Sequence, residues 1–317
     1  MMNGSPTVSE HPDVAQAAAL IRSGQLCAFP TETVYGLGAD ATNPDAVLSI
    51  YETKGRPRFN PLIIHCADLA MAETLAVFTP LARELAERFW PGPLSVVLPA
   101  RPGNGLADVA TAGLDTVAIR VPDHPLARAL IEAVGRPVAA PSANPSGRLS
   151  PTTAEQVRQG FGGRVPVLDG GPCQAGVEST IVRVDGDRLV QLRAGGLARD
   201  DIASAMGRPV ELVGKDAGIA APGMLLSHYA PNAGMRLATE PRPGEAYLAF
   251  GDAPPFDGPM RNLSPSGDLR EAARNLFAML HELDASGTKV IAVAPIPETG
   301  LGEAINDRLR RAAAPRD

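Results

Sequence analysis

The sequence predicts an α/β protein: a twisted sheet of mixed parallel and antiparallel strands with flanking helices, followed by a small second α/β unit. Three observations carry that prediction. Apolar runs of strand length alternate with amphipathic stretches of helix length through the first 206 residues, the pattern of a layered α/β core. Asp185-Gly186-Asp187 separates two apolar runs, a tight-turn signal that adds an antiparallel pair and makes the sheet mixed. From Gly207 to Asn232 periodicity fades while Gly and Pro accumulate, which sets off a shorter unit. At 317 residues the chain exceeds the ~100–200 residues of one typical domain, so two units fit. The expected boundaries are residues 12–206, a linker over 207–232, and 233–317.

The elements follow in order. Pro12 to Ser23 reads as a helix, with proline at its start and Gly24 as its stop. Leu26 to Pro30 is an apolar strand, and the Thr- and Gly-rich stretch after it reads as a loop. Asn43-Pro44-Asp45 starts a helix running to about Lys54, because asparagine caps free N–H groups and proline suits the first turn. Pro61 to Cys66 is the next strand, and Thr79-Pro80 opens a helix toward Trp90. Leu94 to Leu98, Thr116 to Val121 and Pro137 to Ala140 are strands, with a helix from Asp123 to Val134. Glu178 to Val184 and Arg188 to Arg193 flank the turn. In the shorter unit Glu245 to Phe250 and Lys289 to Ala294 are strands, and Leu269 to Leu283 and Gly302 to Ala313 are helices.

Composition removes several classes. The chain is 44% apolar and 20% charged, ordinary for a globular protein. Cys27, Cys66 and Cys173 form no C-x-x-C pair, against a disulfide framework or thiolate zinc site, so a reducing, cytoplasmic setting is expected. The N-terminal stretch lacks the basic start and apolar run of a secretory signal. No apolar stretch approaches the ~20 residues of a spanning helix, so no membrane association is expected. A net charge of −6 and a pI near 5.5 argue against general attraction to nucleic acid or anionic lipid. There is no G-x-x-x-x-G-K-[ST] phosphate loop, no H-E-x-x-H or Cys/His cluster for a protein-held metal, and no G-x-S-x-G elbow. Gly36-Leu37-Gly38 with Ala41 fits a loose dinucleotide fingerprint, but the helix starts at Asn43-Pro44, too late for those glycines to sit at its N-terminus.

Three stretches can carry chemistry. Lys54-Gly55-Arg56-Pro57-Arg58-Phe59-Asn60-Pro61 packs three cations and an amide between a helix and a strand. Cations there complement the helix dipole by ~0.3–1 kcal/mol. Gly55, Pro57 and Pro61 stiffen the loop beyond what capping requires, which suits a phosphate clamp of ammonium point charge and guanidinium fork. Ala140-Pro141-Ser142-Ala143-Asn144-Pro145-Ser146-Gly147 follows a strand end, where α/β sheets bind ligands, although its composition also fits a plain turn. Pro30 to Gly38 has the same setting.

Together these stretches resemble the YrdC-like threonylcarbamoyl-AMP synthases, in their longer form with an added Rossmann-like C-terminal domain. The family pattern K-x-R followed by S-x-N is present as Lys54/Arg56 and Ser142/Asn144. Pro30 to Gly38, Asn60 to His65, Thr116 to Pro122 and Glu178 to Ile181 also agree, and His228-Tyr229-Ala230-Pro231 is similar to the linker signature of the long form. Thr53 departs from the small apolar residue common before the lysine. The resemblance implies a nucleotidyltransferase that turns L-threonine, bicarbonate and ATP into threonylcarbamoyl-AMP and pyrophosphate, with Mg²⁺ accompanying the nucleotide. It implies a concave, positively lined cleft, and a separate transferase complex that places the product on tRNA. Given the acidic balance, tRNA binding by this chain itself is expected to be weak or indirect.

Residue by residue, the resemblance implies threonine contacts at Thr33, His65, Arg120, Ala140 and Thr180, with Ser179 grouped beside them. It implies ATP contacts at Arg56, Asn60, Thr116, Ser142, Ser150 and Arg193, with Asn144 in the same group and Tyr229 reaching back from the linker. Lys54 and Arg56 are the expected catalytic pair, stabilising phosphoryl charge, and the linker ending in Tyr229 is the expected lid. Each has a plainer alternative: a core histidine for His65, a surface arginine for Arg120, a strand cap for Arg193 and a hydrophobic anchor for Tyr229.

Overall fold

The computed structural model describes residues 13–214 and 228–315; Pro12 and residues 215–227 of the expected linker lie outside the described residues. Helix α1 (Val14–Arg22) begins under a capping box in which Asp13 and Gln16 satisfy each other's backbone N–H groups. Strands β1 (Cys27–Phe29) and β2 (Gly36–Asp40) pair antiparallel. Helix α2 (Pro44–Lys54) is capped by the Asn43 side chain and ends at Gly55, whose φ of 60° is the left-handed closure that glycine adopts without strain. Then come β3 (Ile63–His65), α3 (Leu69–Leu75), α4 (Pro80–Phe89), β4 (Leu94–Pro99), β5 (Thr116–Arg120), α5 (Pro125–Val134), β6 (Val138–Ala139) and α6 (Ala154–Phe161). The expected hairpin is β7 (Thr180–Asp185) with β8 (Arg188–Arg193), followed by α7 (Arg199–Met206) and β9 (Val210–Leu212). The second unit comprises β10 (Gly234–Arg236), β11 (Ala246–Ala249), β12 (Met260–Asn262), α8 (Leu269–Ala285), β13 (Val290–Val293) and α9 (Gly302–Ala313).

The first sheet has nine strands in the order β1-β2-β6-β3-β5-β4-β7-β8-β9, and the second has four in the order β10-β13-β11-β12. The first is mixed: β3/β5, β4/β7 and β8/β9 run parallel and the other neighbours antiparallel, whereas the second is parallel throughout. Among the described residues, no helix is long and apolar enough to cross a membrane.

Strand β2 was expected as loop. It pairs with β1 and β6 and is buried along its length, so tertiary pairing overrides the weak strand preference of its two glycines. At Gly38 a Cβ would come within 2.9 Å of the Phe29 ring, which packs on the bare backbone. Val210–Leu212, inside the expected linker, joins the first sheet instead by pairing with β8. Helices α3, α6 and α7 and the short strands β10 and β12 were not anticipated, although the Thr153–Gln156 capping box and the Ala154, Val157 and Phe161 spacing announce α6.

Alternation along the central strands decides where a site can form. Ile64, Val96, Ile119 and Val182 pack with helix residues such as Ile50 and Leu85 in the largest core. Their neighbours Ile63, Val97, Ala118 and Ile181 face the other side in a thin cluster of their own, so that face keeps room for a ligand. The second unit buries Leu276, Phe277 and Leu280 of α8 and Ile305 and Leu309 of α9 in one cluster. Val34, Leu149 and Val177 of the first unit join it, forming an apolar seam between the two.

Candidate functional site

A cleft opens on that thin face. His65 and Arg120 sit opposite each other at the carboxyl ends of the parallel pair β3–β5, where an α/β sheet opens its crevice. Both line the cleft with Thr33 and Ala140. Arg120 Nη2 donates to Glu32 Oε1 at 2.6 Å and its Nε to the Gly92 carbonyl at 3.2 Å. The other Glu32 oxygen accepts from the Asp123 amide at 3.0 Å, so the guanidinium is fixed from behind. Burial and the neighbouring Arg120 charge push the His65 imidazole down to about 3, leaving it neutral, and its Nδ1 has no partner among the described residues. The Thr33 hydroxyl lies 2.8 Å from that of Thr31.

Two further cations line the same cleft. Arg56 lines the cleft while its Nη2 donates to the Pro61 carbonyl at 2.9 Å and its Nε to that of Asn60 at 3.3 Å; burial lowers its pKa to about 10. Ser142 borders the same space, and Arg193 does so while donating to the Ser179 carbonyl at 2.9 Å and the Ser179 hydroxyl at 3.1 Å. Gly195 lets these segments touch: a Cβ there would fall 2.3 Å from the Ser179 carbonyl carbon. Tyr229 closes the cleft edge with a left-handed φ of 62°, its buried ring 5.6 Å from that of Phe277. Of the linker expected as a lid, 207–232, residues 215–227 lie outside the described residues, whereas His228 and Tyr229 line the cleft.

Several expected residues stand behind the wall. Lys54 Nζ donates to the carbonyls of Ser142, at 2.6 Å, and Asn144. Burial and the nearby Arg56 lower its pKa well below that of an ordinary ammonium. Lys54 therefore ties the S-x-N loop to the end of α2. Asn144 Nδ2 donates to the carbonyls of Pro145 and Arg148, both at 2.9 Å, and closes the loop on itself. Asn60 is fully buried, and its side-chain amide has no partner among the described residues. The buried Ser150 hydroxyl donates to Glu178 Oε1 at 2.5 Å.

Ser179 lines the cleft with its hydroxyl 2.8 Å from that of Ser95. The Thr180 hydroxyl instead donates to the Leu197 carbonyl at 2.5 Å, away from the opening. Thr116 begins β5 on the same face as Arg120, four residues and about 13 Å away at ~3.3 Å per residue. The cleft thus gathers Thr33, His65, Arg120, Ala140, Ser179, Arg56, Ser142, Arg193 and Tyr229, but not Lys54, Asn60, Thr116, Asn144, Ser150 or Thr180.

Sequence reasoning missed seven lining residues: Thr31, Val34, Gly36, Ile63, Pro141, Glu178 and His228. All seven lie within stretches already singled out by motif, so a buried carboxylate next to Ser179 was within reach. Burial would raise the Glu178 carboxyl, but Arg308 and Arg193 together hold it below the usual carboxylate range. His228, like His65, is pushed down to about 3, by burial.

Residues 19–195 match a family model covering Sua5, YciO and YrdC, described as "Telomere recombination". Residues 197–314 match one described as "Threonylcarbamoyl-AMP synthase, C-terminal domain". A threonylcarbamoyl-AMP synthase of Bacillus subtilis is 42% identical over 339 residues, 96% of this chain and 94% of that protein. One of Pyrococcus abyssi is 44% identical over 317 residues, 94% of this chain and 93% of its own length. The crystal structure of P. abyssi Sua5 complexed with L-threonine superposes with a TM-score of 0.87 at 42% identity, covering 95% of this chain and 94% of that one. Two domain models in tandem, full-length relatives and a shared two-unit fold agree: the chain belongs to the threonylcarbamoyl-AMP synthase family, in its two-domain Sua5 form.

Proposed function

We propose that this chain is a nucleotidyltransferase that joins L-threonine, bicarbonate and ATP into threonylcarbamoyl-AMP, releasing pyrophosphate, for tRNA modification. One observation carries the reading. A single cleft is lined by Arg56, Ser142 and Arg193 together with Thr33, His65 and Arg120, a set that suits a triphosphate beside an amino acid. Arg120, set by Glu32, suits the threonine carboxylate as a fixed fork. Neutral His65 and the Thr33 hydroxyl suit its polar side chain and amine without adding charge.

The threonine amine bonds to the bicarbonate carbon as water leaves, and an oxygen of the resulting carbamate attacks the α-phosphorus. The bond from that phosphorus to its bridging oxygen breaks, and pyrophosphate departs with the electron pair. Charge gathers on phosphoryl oxygens, and Arg56 and Arg193 lie where they stabilise it. Catalysis rests on positioning and fixed electrostatics, with no side-chain nucleophile required. Lys54 acts from behind by holding Ser142 and Asn144 in register. Among the described residues no group of three or more His, Cys, Asp or Glu could hold a metal ion. Mg²⁺, which keeps waters and favours phosphate oxygens, would accompany ATP. The product passes to a separate tRNA-modifying transferase, and this acidic chain holds tRNA weakly or indirectly.

The test is pyrophosphate release by the purified chain with ATP, Mg²⁺ and bicarbonate, with and without L-threonine. Release that requires threonine supports the reading; release at the same rate without it rejects it.

A further inference from the structure

The C-terminal unit reaches the cleft wall through one charged side chain. Arg308, on α9, is fully buried, whereas Arg310 one turn face away is half exposed. Arg308 Nε donates to Glu178 Oε2 at 2.7 Å, its Nη2 to the Ala194 carbonyl at 2.9 Å and its Nη1 to Asp307 at 2.6 Å. Its guanidinium carbon lies 5.0 Å from the centre of the Tyr229 ring. One residue of the second unit thus grips three parts of the cleft edge: the Glu178 carboxylate, the backbone next to Arg193, and the aromatic end of the linker.

Glu178 relays that grip. With one oxygen fixed by Arg308, its other oxygen accepts the Ser150 hydroxyl proton at 2.5 Å. Ser150 is itself fully buried behind the wall, so the bond fixes the second Glu178 oxygen and with it the carboxylate that borders the cleft. The Ser150 carbonyl lies 3.3 Å from Nε2 of His281 on α8, a second hold from the same unit. Stability alone is a poor reason for such an arrangement, because apolar residues of similar volume generally replace a buried ion pair at no loss.

We infer that Arg308 is a positioning residue of the nucleotide site: the C-terminal unit sets Glu178, Arg193 and Tyr229 for ATP without touching substrate itself. This role rests on the function proposed above. It is distinct from a structural tie because it acts on ATP: the Arg308 contacts fall on Glu178, Ala194, Asp307 and Tyr229 and not on Thr33, His65 or Arg120.

The experiment compares wild type, Arg308→Met, Arg308→Lys and the double variant Glu178→Gln/Arg308→Met in the full chain. It reads melting temperature, threonine Kd by calorimetry without ATP, and kcat and KM for ATP from pyrophosphate release. Arg308→Met should raise the ATP KM about tenfold or more, as expected for loss of a charge-assisted contact network, with threonine Kd unchanged within about twofold. Arg308→Lys, which keeps the charge but not the fork, should fall between. Because Arg308→Met alone leaves a buried carboxylate without its partner, the double variant is the decisive one. Its melting temperature should return toward wild type while its ATP KM stays raised. An ATP KM that recovers together with the melting temperature, a threonine Kd that loosens as much as the ATP KM, or an unchanged ATP KM in Arg308→Met would each overturn the positioning role. Absence of threonine-dependent release from wild type would instead overturn the proposed function, so the two failures are distinguishable.

Discussion

Replacing Lys54 with methionine tests whether a buried cation organises the nucleotide loop. The ammonium, 4% exposed, donates to the Ser142 and Asn144 carbonyls. Hydrogen bonds to charged groups contribute ~1.5–3 kcal/mol each, so the pair supplies roughly 3–6 kcal/mol. Against this stands the desolvation of the ammonium, which offsets several kcal/mol. Methionine has nearly the same length and removes both terms, but it leaves two buried carbonyls without a donor at ~1–3 kcal/mol each. The net expectation is a loss of roughly 2–4 kcal/mol, or about 5–15 °C in Tm at ~2–4 °C per kcal/mol for a chain of this size class. Turnover should fall by about 100-fold or more, because a shift of ~1 Å in a substrate-positioning group carries that cost. The assays are thermal denaturation and threonine-dependent pyrophosphate release on the same preparation. An unchanged Tm together with near-normal turnover refutes the reasoning. An unchanged Tm with turnover abolished would place Lys54 on the phosphate and not on the loop.

Three further outcomes are expected. Arg56→Ala removes a guanidinium from the cationic wall and should cut turnover by about 100-fold or more with a raised ATP KM, read by steady-state kinetics; near-normal release contradicts the clamp. Arg120→Lys keeps charge but cannot hold Glu32 and the Gly92 carbonyl together, so threonine Kd should rise about tenfold while ATP KM stays within about twofold, and equal effects on both would reject its assignment to threonine. His65 and His228 are held neutral, with pKa values near 3 against 6.5 in the unfolded chain. The unfolded chain therefore takes up protons first. The stability these groups contribute is complete above about pH 6.5 and is lost toward pH 3 at about 1.4 kcal/mol per pH unit per histidine. Denaturant titrations from pH 7 to 4.5 should show that slope, and His65→Asn should shrink it; a stability that does not fall with pH rules out neutral burial.

Periodicity and punctuation sufficed for the frame of the fold because they report local physics. The Asn43-Pro44 cap, the Asp185-Gly186-Asp187 turn and the apolar strands β3, β4 and β5 all appear close to their expected limits. What escaped was set by tertiary pairing: β2, with two glycines in five residues, becomes a strand only because β1 and β6 flank it. The site divides in the same way. Thr33, His65 and Arg120 were legible because motif residues at strand ends point into a crevice. Lys54 was legible as important but not as a loop tie, since its partners lie 88 and 90 residues away and are backbone carbonyls that no side-chain pattern marks. Arg308 carried a signal that went unread: Ala304, Ile305, Leu309 and Ala312 recur at helical spacing on α9 and position 308 falls on that buried face, whereas Arg310 falls on the exposed one.

The most direct test of the central claim follows the carbon of bicarbonate. Incubating the chain with ¹³C-bicarbonate, L-threonine, Mg²⁺ and ATP should yield one compound that carries the label, threonine and AMP together, formed one-for-one with pyrophosphate. ADP and phosphate as the nucleotide products, or AMP formed without label and threonine attached, would contradict it.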